Sequence, residues 1–181
     1  MLKDKTMETP PMIEADGFVL RPVRASDAGL FSLHAGDERV ARMTRTIPHP
    51  FPPGAAAAYI DSAGRKDRSF DIWSIDGTPA ERPEFMGMLM LDRLDRAQSE
   101  VSFWIAPAFW NAGLATEAVR AVLAANPHGA DRLFAEVFQD NAGSARVLTN
   151  CGFDYLGDAE QFSVARGATV PTWTYSRKMD G

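Results

Sequence analysis

The sequence has little cysteine: one, Cys151, in 181 residues. A single thiol excludes an internal disulfide framework and fits a reducing compartment. Histidine is also scarce. The three, at 34, 49 and 128, are scattered, and with Cys151 they give no metal-ligand spacing, so no metal is expected. Positive charge is not in excess: 19 Lys and Arg stand against 24 Asp and Glu, a formal net charge of −5. That balance argues against nucleic acid as the main partner. No stretch of about 18 apolar residues is present to span a membrane. The N-terminus lacks the basic start, apolar run and small-residue cleavage site of a secretory signal. The expectation is a cytoplasmic protein with neither membrane nor nucleic acid as partner.

What is present is an ordinary globular balance, 45% hydrophobic and 24% charged. The length suits one domain with a real core. Residues 1–12 mix Lys, Glu, Thr and Pro without apolar periodicity and read as a flexible lead-in. Residues 13–181 read as a single domain.

Along the chain, residues 18–24 alternate apolar and polar and read as a strand near an edge, because Pro22 has no amide to donate. Ser26 is placed to cap a helix carrying Leu30, Phe31 and Leu33. Four prolines make 47–54 a loop, and 55–63 reads as a helix stopped by Gly64. Segments 70–75, 85–94 and 100–106 suggest an antiparallel meander. Residues 113–126 read as a helix whose apolar face is Leu114, Ala118, Ala121, Val122 and Ala125. A strand over 132–138, a helix over 141–150 and two strands over 153–156 and 172–178 complete the order. The class is α+β, with a mostly antiparallel sheet of six to seven strands and one strand–helix–strand crossover near its middle.

The segment 104–118 carries the chemistry. It is a strand, a turn broken by Pro107, a loop of small residues, then a helix start. A helix N-terminus presents unpartnered amides and a partial positive charge. Small residues at Ala112, Gly113 and Ala115 let a ligand approach the backbone. The combination suits a phosphate or pyrophosphate, although the same residues also serve as a plain strand-to-helix turn. No Gly-Lys-Ser/Thr follows, which excludes a P-loop, and the three spaced glycines of a dinucleotide fold are absent.

The run Trp110-Asn111-Ala112-Gly113-Leu114-Ala115-Thr116-Glu117-Ala118 resembles the acetyl-CoA signature of the GNAT N-acetyltransferase family. Its aromatic-rich form is similar to the RimJ/RimL-type branch, which acetylates alanine or serine at the N-termini of ribosomal proteins. Trp110 stands where the wider family often has Arg or Gln. A second run, from Asn141 through Ser144 to Gly152-Phe153, is similar to the family's Asn-x-x-Ser and Gly-Phe element. The resemblance covers residues 18 to 178. It implies a GNAT fold, in which two central strands splay into a V that binds acetyl-CoA. It implies that Ile105, Trp110, Asn111, Ala112, Gly113, Leu114, Ala115, Thr116, Asn141 and Ser144 hold this co-substrate. An amine acceptor, either a protein N-terminus or a small amine, then attacks directly.

Acetyl transfer needs a base for the amine, a donor for the thioester oxygen and an acid for the leaving thiolate. The family implies a backbone amide in 101–105 as the oxygen donor. Glu100 is the first candidate base, with Asp92 and Glu136 behind it. Many members carry a Tyr acid four residues before the Gly-Phe pair; here that position is Leu148. The branch suggests Ser144 instead. Because of Leu148, a catalytically silent acyl-CoA-binding module remains an alternative. His49 and the 47–54 loop fall on the acceptor side. Cys151 reads as a packing residue. The sequence does not decide between a monomer and a homodimer.

Overall fold

The structure is a computed structural model and describes residues 9–180. Residues 1–8 of the lead-in lie outside the described residues; of the rest, Pro11 accepts a hydrogen bond through its carbonyl from Trp73 Nε1 at 2.8 Å.

Eight strands form one sheet: β1 (Ile13–Ala15), β2 (Phe18–Pro22), β3 (Phe70–Asp76), β4 (Gly87–Arg93), β5 (Gln98–Ile105), β6 (Arg132–Phe138), β7 (Asp154–Ser163) and β8 (Ala168–Lys178). Their spatial order is β1-β2-β3-β4-β5-β6-β8-β7. Every neighbouring pair is antiparallel except β5 and β6. Among the described residues five α-helices accompany them: α1 (Ala28–Ala35), α2 (Glu38–Ala41), α3 (Ala55–Ala63), α4 (Leu114–Ala125) and α5 (Ala142–Asn150). The sheet therefore has eight strands, one more than the upper expectation. The added strand, β1, is three residues long and too short to show an alternation.

Successive strand side chains point to opposite faces, and β3 divides them cleanly. Trp73 and Ile75 enter the core shared with Leu114, Ala118, Val122 and Leu148 of α4 and α5. Ile72 enters the core shared with Phe31, Val40 and Ile60 of α1, α2 and α3. With both faces covered, the polar positions of β3 are buried too, and each has a partner. Asp76 accepts from Arg21 Nε at 2.9 Å, and Ser74 donates to Asp27 at 2.8 Å. Asp71 meets His128 Nε2 at 2.7 Å, and His128 Nδ1 meets Ser99 Oγ at 2.8 Å.

Three local expectations are corrected. Ser26 is exposed and caps nothing; Asp27 Oδ2 accepts the Arg24 amide at 3.0 Å, and α1 begins at Ala28. The buried stripe of α4 includes Val119, whereas Ala125 is exposed in the last turn, where Asn126 takes a left-handed conformation (φ 39°). Strands β7 and β8 run 10 and 11 residues, well beyond the short segments read from sequence, because their outer stretch is an exposed ribbon without apolar alternation.

Candidate active site

The crossover through α4 makes β5 and β6 parallel, but they pair only from Gln98 to Glu100 against Arg132 to Phe134. Beyond that point β5 continues to Ile105 with β4 on its other side, and β6 continues to Phe138 with β8. The two strands part, and the edge of β5 from Val101 onward faces an opening. At its far end Gly87 lies opposite Ile105; a Cβ there would stand 2.4 Å from the Trp104 carbonyl oxygen, so only glycine permits this approach.

Two cavities meet in the opening. The larger, about 520 Å³, is a groove between the N-termini of α4 and α5. Its floor at α4 is the loop ahead of Leu114. Asn111 (φ 60°) and Gly113 (φ 73°) are both left-handed, which curls the backbone into a concavity of amides suited to an anion. No side chain caps α4, and its first turn closes with Glu117 N–H to Gly113 O. The amides before Glu117 are thus the unpartnered donors of a helix start. Trp110 braces the loop: its Nε1 donates to Ile105 O at 2.7 Å, and the Arg39 guanidinium lies 5.6 Å from its ring centre.

Of the residues expected at the co-substrate, Ile105, Trp110, Asn111, Gly113, Leu114, Ala115, Thr116, Asn141 and Ser144 all line this groove. Ala112 does not; set between the two left-handed residues, it is exposed and outside the lining. Sequence reading missed Arg146, Val147 and Asn150, which also line it. With Gly143 they fall at i, i+3, i+4 and i+7, one face of α5, so helical spacing counted from the Asn-x-x-Ser run was the available signal. It also missed Arg39, Val40 and Met43, for which no local signal exists.

The smaller cavity, about 210 Å³, lies on the other side of β5 and β6. Its walls are largely apolar, with Phe31, Ile47, Tyr59, Met88 and Met90 prominent. Asp92, Glu100 and Glu136 all line it, so the structure brings the three candidate bases together. Asp92 and Glu100 are cross-strand partners. Asp92 accepts from Ser69 Oγ at 3.0 Å; Glu136 accepts from Thr172 Oγ1 at 2.9 Å and Gln161 Nε2 at 3.2 Å. Glu100 is ion-paired with Arg45. His49 is exposed and lines neither cavity.

Met43, Phe103, Trp104, Asn141 and Ser144 border both cavities. Asn141 caps α5, accepting the Ser144 amide at 3.2 Å, and its Nδ2 donates to Ser144 Oγ at 2.9 Å. A hydroxyl that accepts there keeps its own proton to donate elsewhere. Leu148 is fully buried in the core, and no proton donor stands at its position. Cys151 is buried, burial raises its thiol pKa, and its Sγ faces Thr116 O at 3.6 Å; a thiol in that setting packs and does not attack.

The acetyltransferase (GNAT) domain profile matches residues 18–154. The chain belongs to the GNAT acetyltransferase family. It is accordingly an acetyl-CoA-dependent acetyltransferase. It is 25% identical over 171 residues to YoaA of Bacillus subtilis (strain 168), an uncharacterized N-acetyltransferase, across 92% of this chain and 96% of YoaA. The fold matches RimL, a ribosomal L7/L12 α-N-protein acetyltransferase solved with coenzyme A, with a TM-score of 0.79 at 14% identity over 94% of this chain and 99% of RimL. It also matches the spermidine N-acetyltransferase of Vibrio cholerae solved with CoA and spermine, with a TM-score of 0.76 at 12% identity over 91% and 96%. Among the described residues no helix is long and apolar enough to cross a membrane, and no cluster of His, Cys, Asp and Glu could hold a metal.

Proposed function

We propose that this GNAT enzyme acetylates a primary amine by direct attack, and that its acceptor is the α-amine of a protein N-terminus, as in the RimJ/RimL-type branch. The observation that carries this is the junction at Asn141 and Ser144, where the donor groove and an acidic, mainly apolar second cavity share a wall. Acetyl-CoA bound in the groove supplies an activated acetyl thioester. The α4 amides and the Asn111–Gly113 curl hold the phosphates, and the unpaired edge of β5 offers amides to the extended arm and the thioester oxygen.

Ser144 Oγ, oriented by Asn141, passes a proton to the departing thiolate and takes one back from water. Glu100 takes the proton of the amine, directly or through water. An α-amine suits this arrangement because it titrates near pH 8, so a modest base suffices. A cavity of about 210 Å³ is below the usual ~300–1,000 Å³ of drug-sized sites and admits little more than a first residue. The three carboxylates favour a second reading, a small polyamine as acceptor. Calorimetric titration with acetyl-CoA, followed by thiol release against N-terminal peptides and polyamines, tests both. Turnover on peptides alone supports the first; turnover on polyamines alone replaces it; binding without release on any amine returns the silent module.

A further inference from the structure

The candidate base does not stand free. Glu100 is held by Arg45, with their side chains only 23% and 35% exposed. Directly across the strand pair lies a second carboxylate, Asp92. Two like charges facing each other on one sheet surface destabilise it unless a cation intervenes. Glu136 adds a third carboxylate to the same cavity, and Arg45 is the one cation among its described lining residues. The cavity thus has an excess of negative charge even with Arg45 in place.

The backbone that carries Arg45 is fixed independently of its side chain. Val164 N–H donates to Arg45 O at 3.0 Å, and Arg166 donates to Arg42 O at 2.7 and 2.9 Å while gripping Asp140. Arg166 also lies 4.9 Å from the Phe138 ring centre. The tip of the β7–β8 hairpin therefore straps the 42–45 segment over the opening.

We infer that Arg45 is a positioning residue whose guanidinium occupies the acceptor ammonium's place on Glu100 and is exchanged for it when the amine enters. The empty site keeps Glu100 paired and aimed into the cavity. The incoming ammonium then takes over the carboxylate, and Arg45 swings toward solvent, which its partly exposed side chain already reaches. The exchange selects for acceptors that are cationic at the reacting end and discriminates against neutral nucleophiles, which cannot replace the guanidinium. This rests on the acceptor side assigned above.

The test uses alaninamide, a small α-amine without a carboxylate, as acceptor at saturating acetyl-CoA, with thiol release as readout. Arg45→Met lowers the KM for alaninamide about fivefold, or ~1 kcal/mol at 1.4 kcal/mol per tenfold, the upper end for a partly exposed pair. That fall exceeds any change in kcat. Arg45→Lys restores the wild-type KM, and in a Glu100→Gln background Arg45→Met leaves KM where it was. Arg65→Met, which removes an exposed pair with Asp67 that lines neither cavity, changes neither constant. An unchanged or higher KM in Arg45→Met, with turnover intact, overturns the exchange and leaves the proposed function standing. Failure of the wild-type enzyme to acetylate any amine overturns both.

Discussion

Replacing Gly113 by tryptophan tests the cradle directly, because the position combines a backbone demand with open space. Its φ of 73° is one that L-residues rarely adopt, and nothing lies within 4 Å of where a Cβ would stand. A side chain there costs roughly 1–2 kcal/mol of left-handed strain, equivalent to about 2–8 °C in Tm for a chain of this size. It also projects into the space a phosphate would fill. Loss of two charge-assisted bonds to backbone amides, at about 1.5 kcal/mol each, weakens CoA binding about a hundredfold. Gly54 is the matched control. It also begins a helix, its φ is 78°, its Cβ space is open, and it lines neither cavity. Gly54→Trp and Gly113→Trp lose similar stability in a thermal melt, but only the second loses CoA affinity by calorimetry. Wild-type affinity in folded Gly113→Trp refutes the cradle; equal loss of affinity in both variants refutes the assignment of that loss to the groove.

Ser144→Ala lowers kcat by about a hundredfold or more, the range for a general acid, with CoA affinity within a few-fold; a drop below about threefold means water supplies the proton. Glu100→Gln slows turnover with CoA binding intact, and the loss is largest below about pH 8, where an α-amine is protonated; a deficit independent of pH removes Glu100 as the base. Arg21→Met strands the buried Asp27 and Asp76 without their shared cation, costing ~3–5 kcal/mol in urea unfolding; a loss under ~1 kcal/mol contradicts the network. Burial alone raises the Asp76 carboxyl, but hydrogen bonds from Thr78 and Arg21 more than reverse it and leave it below its usual range. A lowered folded-state value adds stability above about pH 4 that is lost as pH falls through that value. Asp76→Asn therefore flattens the decline of Tm below about pH 4, and an unchanged acid slope speaks against it.

Local chemistry wrote much of the molecule into its sequence. The helix over 55–63 and the strand over 132–138 have the bounds the residues suggested, since Gly64 and the 127–129 turn punctuate them. The groove floor was legible because it is built from backbone. Small residues, a left-handed glycine and a helix start are contiguous in the chain, and so is the Asn141–Ser144 cap. Glu100 lines the smaller cavity, though no sequence pattern marked it apart from its place on the strand.

Long-range pairing decided the rest. Arg39 reaches Trp110, and Arg45 reaches Glu100, only because α2 and its following segment fold over the sheet. Arg166 lies 124 positions from the Arg42 carbonyl it holds. The polar residues on β3 are buried, because helices cover both sides of the sheet and bring Arg21, Asp27 and His128 to meet them. The chain alone determined the groove floor at α4, since a helix start and its loop need only neighbours in sequence. Tertiary structure alone decided what lines the smaller cavity, because Arg45 from the segment after α2 and the carboxylates of β4, β5 and β6 share one cavity only where β5 and β6 part.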